Sequence, residues 1–235
     1  MNTLKLKNLS VKLADGKKLI ENVSLEIKQN EIHVIVGPNG VGKTSLINAI
    51  MNHPNYQKEG KILLNDKDIT NEKTENIAKE ISIAFQHVPE FENLQLRQLA
   101  WYIAQNNYNA VEFQKKLKEL LEKLNIPESY LSRSTGFSGG EKKRIELMLC
   151  LLQKPKFLIL DEIDSGVDID NLKIFSKILN EIKQDVGIIL ISHNSKLLKE
   201  LNIDKVHILL KTIIKSGNKE LLDEIEKNGF KNWNN

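Results

Sequence analysis

The sequence predicts an α/β fold, with a mixed-sheet core that carries a phosphate-binding loop, an antiparallel β subdomain and an inserted helical subdomain. Three observations support this. Residues 37–44 fit the pattern G-x-x-x-x-G-K-[ST] between the apolar run Ile32–Val36 and the apolar residues 46–51, the strand–loop–helix context of a phosphate-binding loop. A second apolar run, residues 157–160, leads directly into two carboxylates. Between these motifs, apolar residues follow helical spacing.

Short apolar runs separated by turn signals predict the strands. Apolar residues alternate through residues 4–13, with a slip near Asn8, and Asp15-Gly16 then predicts a hairpin. Asn65-Asp66 marks a further turn. We expect strands at residues 4–13, 19–27, 32–36, 60–64, 81–85, 157–160, 188–191, 206–210 and 212–215.

Apolar residues three and four positions apart predict the helices. Pro127 is expected to end the helix that contains Phe113 and Leu124, because proline cannot donate the next helical hydrogen bond. We expect helices at about residues 46–51, 94–103, 113–124, 141–152, 171–183 and 220–227. The change of pattern divides one domain, residues 1–235, into a catalytic core (1–88 and 155–235) and a helical subdomain (89–154).

Composition limits the classes of function. A net charge of +3 is too small to indicate nucleic-acid binding, and the single cysteine excludes an internal disulfide. No apolar run reaches the roughly 18 residues of a membrane span, and residues 1–5 lack the apolar region of a signal peptide. The sequence therefore predicts a soluble, cytoplasmic protein with no direct membrane insertion.

The phosphate-binding loop predicts the nucleotide contacts. Its glycines let backbone N–H groups converge on phosphate oxygens, and the following helix N-terminus adds a positive dipole end. Lys43 is expected to reach the β- and γ-phosphates of ATP, and the Thr44 hydroxyl to bind Mg²⁺. The expected nucleotide-binding residues here are Gly37, Pro38, Asn39, Gly40, Val41, Gly42, Lys43, Thr44 and Ser45.

The carboxylates after the second apolar run predict the catalytic chemistry. A buried strand delivers Asp161 and Glu162 to its carboxyl end, where α/β sheets place their ligands. Asp161 is expected to hold Mg²⁺, and Glu162 to accept a proton from the attacking water. Upstream, Ser138-Gly139-Gly140-Glu141 begins a helix whose N–H groups and serine hydroxyl form an anion site, although a serine N-cap alone is common.

The order of these motifs resembles that of ATP-binding cassette (ABC) ATPases over nearly the whole chain. The resemblance implies a P-loop NTPase fold and a head-to-tail homodimer with two ATP molecules in its interface. It implies that Gln86 senses Mg²⁺, that His193 orients the γ-phosphate and water, and that Asp168 crosses the interface. The matching segments are Gln86 after a strand, Phe137-Ser138-Gly139-Gly140-Glu141, Asp161-Glu162, Ser165-Gly166-Val167-Asp168 and His193 after Leu190-Ile191-Ser192.

Four segments further resemble the SufC family, the ATPases of the Suf iron–sulfur cluster assembly system. They are residues 136–144, residues 160–170, Glu31-Ile32-His33-Val34, and Val206-His207-Ile208-Leu209 with residues 213–217. This resemblance implies a SufB-like scaffold partner, with a SufD-like subunit also possible. Residues 87–94 depart from the family pattern where a partner should touch, which fits a simplified Suf system with one SufB-like partner.

Other interpretations remain open. The nucleotide-binding subunit of a membrane ABC transporter would share every catalytic residue, and a second alternative is a cassette protein that uses ATP only as a dimerisation clamp. Cys150, His33 and His207 are expected to be structural, because each lies in an apolar segment. A further hypothesis is an ion pair of Lys142 or Lys143 with Glu162 that restrains hydrolysis in an isolated subunit.

Overall fold

A computed structural model describes residues 1–86 and 92–230. Its larger sheet has six strands in the order β10-β9-β3-β8-β7-β6. The five strands from β9 to β6 are parallel, and β10 pairs with β9 in antiparallel orientation. Their bounds are β3 Ile32–Val36, β6 Ile81–Ala84, β7 Phe157–Asp161, β8 Gly187–Ile191, β9 Lys205–Leu210 and β10 Thr212–Gly217.

The smaller sheet is antiparallel, in the order β2-β1-β4-β5. Its strands are β1 Thr3–Leu13, β2 Lys18–Lys28, β4 Tyr56–Leu64 and β5 Lys67–Asp68. The predicted slip is present, because Asn8 has a φ of 49° and the register of β1 shifts between Leu6 and Leu9. Gly60 on β4 lies so close to this bulge that an added Cβ would be 2.4 Å from the Asn8 carbonyl oxygen.

The helices are α1 Lys43–Ile50, α2 Thr74–Ile77, α3 Leu96–Ala104, α4 Ala110–Lys123, α5 Gly139–Leu152, α6 Ile169–Ile182, α7 Ser195–Glu200 and α8 Leu221–Asn228. A short 3₁₀ helix spans Glu128–Ser132. In the part of the chain that the structure describes, no helix is both long and apolar enough to cross a membrane.

Two apolar clusters cover the opposite faces of the large sheet. Val34 and Leu160 face the cluster that contains α3 to α6, whereas Ile35 and Ile159 face the cluster shared with α1 and the small sheet. All five residues of β3, β7 and β8 are buried, as expected for parallel strands covered on both faces. The mixed α/β fold with an antiparallel β subdomain and helical elements is therefore confirmed.

Several predicted boundaries were wrong. Helix α4 ends at Lys123, four residues before Pro127, because Asn125 adopts a left-handed φ of 50°; Pro127 instead precedes the 3₁₀ helix. Helix α5 begins at Gly139, and the short helices α2 and α7 were not predicted. Residues 87–91, which belong to the segment 87–94 that departs from the SufC pattern, lie outside the described residues. They include the predicted subdomain boundary at residue 89, so the division into subdomains stays a prediction.

Candidate functional site

The phosphate-binding loop connects β3 to α1. Gly40 and Gly42 have φ values of 77° and 106°, which only glycine adopts readily. Gly37 is required for a different reason, since an added Cβ would lie 2.2 Å from the Leu209 carbonyl oxygen on β9. The loop therefore packs directly against the sheet and is followed by the amino end of α1.

Lys43 is the first residue of α1, and its side chain folds back over the loop. Its Nζ donates to the carbonyl oxygens of Gly37 at 2.8 Å and Pro38 at 3.0 Å. The residue is 6% exposed, and burial lowers the pKa of its ammonium, although the charges of Glu162 and Asp161 act in the opposite direction. A buried ammonium bonded to neutral carbonyls fits an incoming phosphate, which would supply the missing negative charge.

Asp161 and Thr44 meet beside the loop. Asp161 ends β7 and is 3% exposed, and its carboxylate accepts a hydrogen bond from the Thr44 hydroxyl. Burial raises the pKa of Asp161, while the Thr44 hydrogen bond lowers it and the Glu162 charge raises it. A hydroxyl next to a carboxylate is the oxygen donor set that Mg²⁺ prefers, so Thr44 and Asp161, two of the three residues predicted to contact the ion, fit it; the third is Gln86.

Glu162 follows Asp161 in an unusual backbone conformation. Its φ of 51° lies in the left-handed region, which is uncommon for a residue other than glycine. Its N–H donates to the Ile191 carbonyl oxygen at 3.0 Å, and its Oε2 accepts from the Gln86 amide Nε2 at 2.6 Å. A strained carboxylate residue at a sheet edge is typical of a functional site.

His193 follows β8 and lies on the same edge of the sheet. The residue is exposed, although partial burial and the Lys43 charge lower the pKa of the imidazole. The preceding Ser192 donates from its hydroxyl to Asp164 Oδ2 at 2.9 Å and accepts from the Asn194 N–H at 3.0 Å. The His193 loop is therefore joined to the loop after β7.

The remaining predicted residues form a second group at the starts of α5 and α6. Ser138 and Glu141 make a reciprocal capping box, and Glu141 also accepts from the Tyr130 hydroxyl at 2.7 Å. Asp168 caps α6 by accepting from the N–H and side-chain amide of Asn171 at 2.9 and 2.8 Å. The Asn171 amide in turn lies 3.0 Å from where a Cβ on Gly140 would be, so the two helix starts are adjacent.

The hypothesis of an ion pair between Lys143 and Glu162 does not match this structure. Lys143 donates to the carbonyl oxygens of Phe85 at 2.5 Å and Gln86 at 2.7 Å, and its Nζ lies 4.0 Å from Glu146. The sequence reasoning missed Asp164, Ser192 and Glu146. The only signal for Asp164 and Ser192 was a polar residue beside a motif, and for Glu146 an acidic residue within the largely apolar segment 145–152.

Comparison with known proteins agrees with this geometry. A family model described as "ABC transporter" matches residues 20–165. "Vegetative protein 296" of Bacillus subtilis is 36% identical over 241 residues, which cover 97% of this chain and 92% of that protein. A "Probable ABC transporter ATP-binding protein" of Streptococcus pyogenes is 37% identical, over an alignment that covers 98% of this chain and 94% of that protein.

The fold also has a close match among solved structures. The structure described as "ATP binding subunit of ABC transporter" superposes with a TM-score of 0.83 at 23% identity, and covers 96% of this chain and 93% of the other. The chain therefore belongs to the ABC transporter family, as one of its ATP-binding and ATP-hydrolysing domains.

Proposed function

We propose that this ATPase is the ATP-hydrolysing subunit of a cytoplasmic Suf iron–sulfur cluster assembly complex, in which it drives a conformational change of a SufB-like scaffold. The support comes from contacts between the segments that resemble SufC. His33 and His207, from two of those segments, are buried and hydrogen-bonded at 3.1 Å. Asp164, from a third segment, accepts a hydrogen bond from Ser192, and it lies in the stretch Ile163–Ser165, where transporters usually carry Pro-Thr or Pro-Leu.

The histidine pair forms a chain in which each ring nitrogen has a neighbour. Ser216 Oγ lies 2.7 Å from His207 Nδ1, and Glu31 Oε2 lies 3.2 Å from His33 Nε2. Two neutral rings fit this order, with Ser216 donating to His207 and His207 to His33. His33 Nε2 faces the Glu31 carboxylate but makes no hydrogen bond among the described residues. The SufC-like residues thus act together inside the core, which argues against a chance resemblance.

The chemistry we assign to the site is attack of water on the γ-phosphate of ATP, which breaks the bond between the γ-phosphorus and the bridging oxygen and releases ADP and phosphate. Lys43 would bind the β- and γ-phosphates, and Glu162 would accept the proton that the attacking water loses. His193 would orient the γ-phosphate and the water. Mg²⁺, held by Thr44 and Asp161 with Gln86 nearby, would neutralise phosphate charge.

Closure of a homodimer completes the site in this proposal. Ser138, Gly139 and Gly140 lie in a separate group from Lys43, and a head-to-tail partner would place its own copy of them opposite the γ-phosphate, with Asp168 at the interface. ATP would then favour the closed dimer because it contacts both subunits only in that state. Closure would move the attached scaffold subunits, and a SufD-like subunit in place of one of them would leave this chemistry unchanged.

The experiment that tests this function is an anaerobic pull-down of the tagged protein from its native cell extract, followed by mass spectrometry. We expect a SufB-like protein to co-elute and the complex to stay in the soluble fraction. Co-elution of a membrane-spanning permease instead would contradict the Suf assignment and support the transporter subunit, the second candidate, which the printed name of the Streptococcus pyogenes relative favours.

A further inference from the structure

The segment that carries Gln86 is held by side chains of α5. Strand β6 ends at Ala84, so Phe85 and Gln86 lose the sheet hydrogen bonds that fix the residues before them. The Phe85 N–H instead donates to Glu146 Oε1 at 2.7 Å. The carbonyl oxygens of Phe85 and Gln86 both accept from Lys143 Nζ. Three of the four backbone polar groups of Phe85 and Gln86 therefore depend on two side chains.

Lys143 and Glu146 are one helical turn apart on the same face of α5, and they are 6% and 5% exposed. Burial raises the pKa of the Glu146 carboxyl to about 7, and its Oε2 has no hydrogen-bond partner among the described residues. Burying such a group costs free energy that an apolar side chain of the same size would not. The polar pair must therefore contribute something other than packing, and what it contacts is the Gln86 backbone.

One more hydrogen bond connects Gln86 to the catalytic carboxylate, since the Gln86 side-chain amide donates to Glu162 Oε2 at 2.6 Å. We propose that Glu146 is a positioning residue for ATP hydrolysis: it fixes the Phe85–Gln86 backbone so that the Gln86 amide meets Glu162. Ser138 is the N-cap of the same helix. In a closed dimer Ser138 would face the nucleotide bound by the partner subunit, so α5 would connect that nucleotide to Glu162 of its own subunit. The inference rests on the proposed roles of Gln86 and Glu162, and not on which partner the subunit serves.

Two substitutions at Glu146 and a matched control test this role. Glu146→Leu removes the acceptor of the Phe85 N–H, whereas Glu146→Gln keeps an acceptor oxygen at the same position. The control is Ser82→Ala, because Ser82 is 2% exposed and its hydroxyl donates to Gln153 Oε1 at 2.6 Å, forming another buried polar bridge between β6 and the end of α5. It does not involve Phe85 or Gln86.

Steady-state ATPase assays of the full chain should separate these variants. We expect Glu146→Leu to lower kcat by about tenfold with less than a twofold change in KM for ATP. Glu146→Gln should recover kcat to within about threefold of the parent, and Ser82→Ala should stay within twofold. An equal loss of kcat in Ser82→Ala and Glu146→Leu would contradict the proposal, because it would show a general effect of loosening α5.

A double-mutant cycle with Gln86→Ala shows whether Glu146 acts through Gln86. If it does, Glu146→Leu should lower kcat by less than twofold in the Gln86→Ala background. A full tenfold loss in that background would overturn the proposal. The proposed roles of Gln86 and Glu162 are contradicted if Gln86→Ala and Glu162→Gln keep the parent kcat. The role of Glu146 alone is contradicted if those two variants lose activity and Glu146→Leu does not.

Discussion

Two neighbouring parallel strands deliver the groups that meet at the reaction centre, but those groups are held in different ways. Asp161 is still part of β7, and Glu162 is fixed by a backbone hydrogen bond to Ile191 on β8. Gln86 lies two residues beyond the end of β6, and its carbonyl oxygen accepts a hydrogen bond from Lys143 of α5. Asp161 is therefore part of the sheet and Glu162 is bonded directly to it, whereas the position of the Gln86 backbone depends on a side chain of α5.

The largest effect should come from the group held by the sheet. Glu162→Gln keeps the hydrogen-bonding shape of the side chain but removes its ability to accept a proton. We expect kcat to fall by about 10²–10⁴-fold with ATP binding retained, measured by phosphate release and by binding of a fluorescent ATP analogue. Glu181→Gln, which changes an exposed carboxylate on α6, is the control and should keep parental activity. A kcat within fivefold of the parent would exclude Glu162 as the base.

The large sheet also contains the His33–His207 pair, on β3 and β9. This pair should make the free energy of unfolding depend on pH. Burial lowers the pKa of His33 to about 4, and burial together with the neighbouring ring lowers that of His207 to about 3, against an ordinary 6.5. As pH falls from about 6.5 to 4, the unfolded chain takes up protons that the folded one does not. Each histidine should therefore reduce the free energy of unfolding by up to about 1.4 kcal/mol per pH unit.

Urea unfolding at pH 7, 6 and 5 measures this dependence. The buried Glu146 carboxyl, with a pKa raised to about 7, acts with the opposite sign, so the histidine contribution is the difference between parent and variant. We expect the double variant His33→Gln/His207→Gln to lose less stability than the parent between pH 7 and 5. His53→Gln, at an exposed histidine, should follow the parent. Identical slopes in all three proteins would contradict the assignment of two neutral buried rings.

The loop that carries His193 allows a smaller test of side-chain positioning. Asp164→Ala removes the acceptor of the Ser192 hydroxyl, and Asp164→Asn keeps an acceptor oxygen in its place. We expect the alanine variant to lower kcat by about tenfold and the asparagine variant by less than threefold. Equal kcat values for the two variants would show that the Ser192 bond does not position His193.

The smallest expected effect separates helix capping from a role at the dimer interface. Helices α4 and α5 are both 14 residues long and both begin with a capping box, at Asn109 and Ser138. Ser138→Ala and Asn109→Ala should each lower the free energy of unfolding by about 1 kcal/mol. ATPase activity should fall only in Ser138→Ala. If Asn109→Ala lowers activity equally, the Ser138 effect is one of stability alone.

Residues of the fold and site that follow directly from a buried strand could be predicted from the sequence. The runs that became β3, β7 and β8 are almost entirely apolar, so the sequence indicated where each of these strands ends. The short helix α7 was missed because six residues carry little periodicity.

Contacts between distant side chains could not be predicted. The Asp164–Ser192 and Glu146–Phe85 hydrogen bonds join residues 28 and 61 positions apart, and no local pattern encodes which loop a buried carboxylate will reach. The left-handed φ of Glu162 is equally hidden, because nothing in the residue type favours that conformation. These features depend on how the helices pack on the sheet, and that packing was unknown at the level of sequence.

The most direct test of the account is the oligomeric state of Glu162→Gln with ATP and Mg²⁺, measured by sedimentation velocity with and without its co-purified partner. The account predicts a shift from monomer to a closed dimer that contains two ATP molecules, and loss of that dimer when Ser138→Arg places a bulky cation at the start of α5. A Glu162→Gln protein that binds ATP but stays monomeric even with its partner would contradict it, because closure could not then supply Ser138 to the second site.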